Sequence, residues 1–113
     1  NTVNGYTKQQ YAIQTKLVDG ANIAWNLDDN QCASVILGGN RTLSNPTNMK
    51  AGSTYILKVT QDGTGSRTLA YGANYKWAGG TPPTLSTGAN DIDILTFYCD
   101  GAAMYGSIQQ DYS

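Results

Sequence analysis

The 113-residue sequence has no histidine and no glutamate; all eight of its acidic residues are aspartate. Losing both residue types removes the commonest general bases and any Cys-His nucleophilic pair. It also points away from helices, because Glu is a good helix former whereas Asp favours turns. Cysteine is nearly absent. Cys32 and Cys99 stand far apart in the chain, each inside an apolar run. Two thiols alone make a poor zinc site. They allow one disulfide, between facing strands, but the favoured reading is two buried free thiols acting as small hydrophobes. No apolar run reaches the ~18 residues of a membrane-spanning helix, so no membrane partner is expected. Basic residues are sparse as well. Seven Lys and Arg oppose eight Asp for a net charge of −1, and the lysines (Lys8, Lys16, Lys50, Lys58, Lys76) are widely scattered along the sequence. Nucleic acid binding by counterion release wants a basic patch, so no nucleic acid partner is expected.

What remains is a chain rich in turn and strand formers, with thirteen Gly and eight Tyr. Its length fits one domain able to bury about two-thirds of its unfolded surface, without a metal or disulfide staple. Residues 1–15 are polar apart from a few side chains that include Tyr6 and Tyr11, and read as an N-terminal arm that rests on a neighbour or forms a first edge strand. Residues 16–113 read as a single domain. Ala21 to Leu27 alternates with period two, placing Ala21, Ile23, Trp25 and Leu27 on one face. Ala33, Val35 and Leu37 form a second apolar face, and Tyr55, Leu57 and Val59 a third. Asp91 to Cys99 is the most apolar run and is expected to be central, returning through an Asp100-Gly101 hairpin into Met104 to Ile108. Residues 78–90, with two Pro and three Gly, read as a long surface loop. The expectation is an all-β fold: a β-sandwich or jelly-roll-like domain of about seven to nine short antiparallel strands.

One short pattern recurs. Gly39-Asn40-Arg41-Thr42-Leu43 and Gly65-Ser66-Arg67-Thr68-Leu69 contain the only arginines. Their flanks differ, so two similar strand starts are favoured over a duplicated site. Each strand should begin at its Arg, with the Leu in the core and the guanidinium reaching water or backbone carbonyls.

Asp28-Asp29 and Asp91/Asp93 are the carboxylate clusters. The first lacks the spaced ligands of a calcium loop and suits a turn; the second suits solubilising the start of a strand. No catalytic residue, metal or cofactor is therefore assigned, and the chain is read as not an enzyme. The candidate contact residues are Tyr6, Tyr11, Tyr75 and Trp77. The last two adjoin the Pro-rich loop, where an aromatic platform stacks on a sugar, anchors a protein contact or folds back over the core.

The runs "LVDGANIAWNL", "VILGGNRTLSNPTNMKAGSTYILKVTQDGTGSRTLAYG" and "YKWAGGTPPTLSTGANDIDILTFYCDG" resemble a domain family of tailed-bacteriophage structural proteins, over about four-fifths of the chain. Members of that family occur within tail fibres and as short stand-alone virion proteins. The resemblance implies a β-rich virion module without catalytic groups, located on the capsid surface or tail, assembled in the host cytoplasm and commonly a homotrimer. The reading ranked first from it is a capsid decoration or cement protein that bridges subunits of the major capsid protein. The alternatives are a receptor-binding domain of a tail fibre that takes a host-surface glycan, and a tail or neck component.

Overall fold

Strands of two to nine residues with one apolar edge cannot bury that edge alone, and this chain stacks them. The computed structural model describes residues 14–112. In chain order the strands are β1 (Gln14–Lys16), β2 (Asn22–Ile23), β3 (Cys32–Leu37), β4 (Arg41–Leu43), β5 (Ser53–Gln61), β6 (Leu69–Tyr71), β7 (Tyr75–Trp77), β8 (Ile92–Cys99) and β9 (Met104–Gln109). A 3₁₀ turn at Ala78–Gly80 follows β7. A six-stranded sheet runs β1-β3-β5-β8-β9-β7 and a three-stranded sheet runs β2-β4-β6. The first six strands alternate between the two sheets, so three successive coils (β1–β2, β3–β4, β5–β6) lie on one another as in a β-solenoid. The β8–β9 hairpin and β7 then widen the larger sheet.

The all-β expectation holds, and so does the number of strands. Their direction is a departure: among the described residues five of the seven strand pairings are parallel, and only β5–β8 and β8–β9 are antiparallel. The reason lies at the turns. Asp19-Gly20, Gly38-Gly39 and Asp62-Gly63 each carry the chain from the larger sheet to the smaller one, so the next return is parallel to the last. Asp100-Gly101 alone among the Asp-Gly pairs joins two neighbouring strands of one sheet, and there the expected hairpin forms. The boundary placed between arm and domain falls inside β1, which pairs with β3.

Register aligns the apolar columns. Ala33 stands beside Leu57 and Leu57 beside Leu95; Val35 stands beside Val59. These, with Ile23, Trp25, Leu27, Leu37, Leu43, Tyr55 and Phe97, make one buried cluster between the sheets. Trp25 is its centre, edge-on to Tyr55 and Phe97, with its indole N–H donated to the Asn30 carbonyl at 2.7 Å. Ala21 is exposed, unlike Ile23, Trp25 and Leu27. The alternation over 21–27 is real, yet only two residues form a regular strand. Hydrogen bonds run from Thr42 N to Ala21 O and from Ser44 N to Ile23 O. Pro46 has no N–H to give next, so Thr47 supplies the bond to Trp25 O and the ladder skips a step. The thiols are both free: Cys99 faces the core and Cys32 sits two strands away at the start of β3.

The two Arg-Thr-Leu segments lie side by side in the small sheet, offset by two residues, with Arg41 opposite Leu69. Arg67 precedes its strand because the buried Gln61 side chain takes its backbone: Oε1 accepts from Arg67 N and Nε2 donates to Arg67 O, both at 2.9 Å. The leucines are buried as expected, but the guanidiniums meet carboxylates. Arg41 forks onto Asp19 (2.8 and 3.0 Å) and Arg67 onto Asp62 (3.2 and 2.9 Å). A Cβ at Gly39 would lie 2.8 Å from the Arg41 guanidinium and one at Gly38 2.9 Å from Asp19 Oδ2, so side chains at this Gly pair would press on the fork. The forks thus bolt the corners of the stack.

Arg67 holds the Asp62 carboxyl down at about 2, aided by the backbone N–H groups of Gly65 and Thr64. A carboxyl depressed in the fold stabilises above its unfolded pKa near 4, and that contribution is lost as pH falls toward 2. Melting temperature should therefore drop between pH 4 and pH 2. In Asp62→Asn the drop should be shallower, whereas an identical slope in both proteins would contradict this role.

Candidate functional site

Two hydrogen-bonding side chains inside the protein shape the surface outside it. Gln61 and Asp93 are both 2% exposed, at the end of β5 and the start of β8. Gln61 Nε2 also donates to Ser86 O at 2.9 Å, while Asp93 Oδ2 accepts from Ser86 N at 2.8 Å. Asp93 Oδ1 accepts from Asp111 N at 2.9 Å. The strand-start aspartate is therefore an internal clamp, which corrects its assignment to solubility. Alternation decides this: Asp93 shares the inward parity of Leu95 and Phe97. Through it the loop of residues 78–90 is pinned at Leu85 to Thr87, with Leu85 buried and Thr87 O accepting from Ser66 N.

The stretch before that anchor stands off the sheet and leaves a groove on either side of Pro83. One, of about 230 Å³, is lined by Trp77, Ala78, Thr81, Pro83, Ser107 and Ile108, with Gly106 at its floor. The other, about 150 Å³, lies between Arg67, Leu69 and Pro83 to Thr87. The first is mostly apolar, walled by an indole, with a hydroxyl at Thr81. It is below the usual size of a drug-like pocket and suits the edge of a single small unit, such as one sugar ring.

Trp77 is half-buried at the end of the edge strand β7. It packs on Tyr71 at 4.7 Å and on Phe97 at 5.5 Å between ring centroids. This arrangement depends on Gly106, which lies between Phe97 and Trp77 in the register. A Cβ there would come within 2.5 Å of Trp77 and 2.7 Å of Phe97. The indole Nε1 and the Tyr71 hydroxyl are buried without a hydrogen-bond partner among the described residues. Burial also drives the Tyr71 phenol well above the usual range. A buried orphan donor is costly, and here the aromatic packing around Trp77 carries that cost.

The structure separates the sequence-selected residues. Trp77 is on the groove. Tyr75 is buried in the core, its hydroxyl donated to Ser44 O at 2.9 Å, so its ring does not face an outside partner. Tyr6 and Tyr11 lie outside the described residues. Asp28 pairs with Lys50, and Asp29 accepts from Asn26, both within turns. Among the described residues no three Cys or Asp side chains converge as metal ligands. Thr81, Pro83, Gly106 and Ser107 were missed; Gly106 inside an otherwise alternating strand was the available signal.

Two changes test this construction. Gly106→Val should displace Trp77, shift its fluorescence and destabilise by about 1–3 kcal/mol in denaturant melts. Asp93→Ala, which orphans two backbone N–H groups, should cost about 1–3 kcal/mol and speed proteolysis within residues 84–90. Unchanged cleavage there would refute the clamp.

Among known proteins, a family model described as "putative phage tail fibre C-terminal domain" matches residues 20–104. No curated protein and no solved structure matches the chain.

Proposed function

The chain belongs to the phage tail fibre C-terminal domain family, a class of bacteriophage virion structural proteins, and from that premise we propose that it is a fibre-tip module that adheres to the host surface. The Trp77 groove is its contact and a sugar unit of a surface glycan its ligand. The observation that supports this reading is the placement of the groove: an aromatic wall and the Thr81 hydroxyl beside an anchored loop. An apolar ring face stacks on indole, and the Thr81 hydroxyl orients it. No bond-making step is involved, and we read the chain as non-enzymatic.

Capsid decoration, ranked first on sequence grounds, shares the virion class. The family match names the fibre and moves the reading to the tail.

Immunogold labelling of intact particles should place the chain on the tail, and label on the capsid would defeat the proposal. In adsorption assays, the chain should compete with particles for host cells. Trp77→Ala, and independently the groove-filling Thr81→Trp, should weaken that competition about tenfold or more, as expected for an aromatic anchor. Because Trp77 also packs against Tyr71 and Phe97, the Thr81 variant carries the test if Trp77→Ala unfolds. Full competition by a folded Thr81→Trp would rule the groove out.

A further inference from the structure

The lysines that look scattered in the sequence are gathered by the fold. The described residues contain six basic side chains: Lys16, Arg41, Lys50, Lys58, Arg67 and Lys76. Arg41, Lys50 and Arg67 each pair with an aspartate at a turn. Among the described residues the other three, Lys16, Lys58 and Lys76, make no ion pair. All three point outward from the six-stranded sheet: Lys58 and Lys76 have the opposite parity to the buried positions on their strands, and Lys16 shares a row with Lys58 through Ser34. Among the described residues no strand position on that outer face holds a carboxylate. The face therefore carries three uncompensated positive charges on a chain whose net charge is −1.

Register fixes the pattern. One row reads Lys16, Ser34, Lys58, Ile94, Gln109, which sets the first two lysines about 9.5 Å apart, two strand spacings. Another reads Thr54, Tyr98, Tyr105, Lys76. Tyr98 and Tyr105 are directly opposed and exposed, at 52% and 47%. The Tyr105 hydroxyl donates to Asp100 Oδ2 at 2.9 Å, which holds the ring in place. Asp100 is the carboxylate at the rim of this face, and its other oxygen accepts from Ala102 N and Ala103 N. Between the two rows, Thr96 and Ser107 add hydroxyls beside Ile56.

We propose that this outer sheet face is a binding surface for an anionic polysaccharide: acidic groups lie on Lys16, Lys58 and Lys76, and sugar rings stack on Tyr98 and Tyr105. The inference rests on the reading of the chain as a host-contacting fibre module and adds the charge class of the ligand. A second copy of the chain is a poor occupant, because it would set like charges against each other. A nucleic acid is poorer still, because three separated lysines neutralise few phosphates.

The test uses polygalacturonate as the acidic probe, with dextran of matched length as the neutral one and single-stranded DNA as a competitor. Polygalacturonate should bind, more weakly as salt rises from 20 to about 300 mM because exposed charges are screened over a Debye length of about 10 Å or less. Dextran should not bind. Lys16→Gln/Lys58→Gln should lose about tenfold or more in affinity, and Lys16→Arg/Lys58→Arg should keep it. Tyr98→Ala should lose several-fold with the salt slope unchanged. Equal binding of dextran, parental affinity in the double Gln variant, or full displacement by DNA would each overturn the proposal. The fibre reading fails separately: capsid labelling sinks it whatever the polysaccharide result, whereas tail labelling with no polygalacturonate binding sinks the charged face alone.

Discussion

Everything in this molecule depends on the lateral pairing of β3 with β5, six residues in unbroken parallel register. It is the joint between the second and third coils, and it sets which side chains look inward across the larger sheet. A slip of one residue would turn Ala33, Val35 and Leu37 together to the outer face and Ser34 and Ile36 toward the core in their place. Fully burying each large aliphatic side chain is worth about 1.5–3 kcal/mol, so that slip is strongly disfavoured. The same register sets Leu95 and Phe97 of β8 against β5 and so carries the core across to the hairpin.

Polar groups then do what apolar packing cannot, which is to fix irregular chain. Gln61 makes three hydrogen bonds to loop backbone, and Asp93 two, with neither side chain reaching solvent. Both occupy inward positions that continue the apolar columns, so the core ends in acceptors and donors aimed at the loops. The corners are held differently. There the Asp-Arg forks lie partly in water, and their value is geometric: a planar guanidinium fixes the direction of one turn against the next. Groove, corners and sheet faces are all placed by these few side chains.

The inward faces were legible in the sequence because period two is a local signal. Val35, Leu57 and the 91–99 strand could be oriented without knowing any partner. The direction of pairing was not legible, since a turn such as Asp62-Gly63 reads the same whether it closes a hairpin or passes between sheets. Nor were the arginine partners. Asp19 and Arg41 are 22 residues apart, and only stacking of coils brings them together. The site was half visible. Trp77 and its loop stood out by composition, but Tyr75, two residues earlier with identical parity, turned out to be core. Burial there depends on Met104 and Phe97, which no local pattern reveals. The lysine face was invisible for the same reason: Lys16, Lys58 and Lys76 come from three distant strands.

The strict division between inward and outward positions on the six-stranded sheet has an evolutionary consequence. An outward residue such as Lys58 or Tyr98 takes no part in interior packing, so replacing it changes what the molecule touches and leaves its folding nearly unaffected. Selection for integrity and selection for adhesion act on separate sets of codons, interleaved one by one along each strand. On the proposed reading, such a lineage can change its host range by drift across one face while the scaffold beneath stays constant.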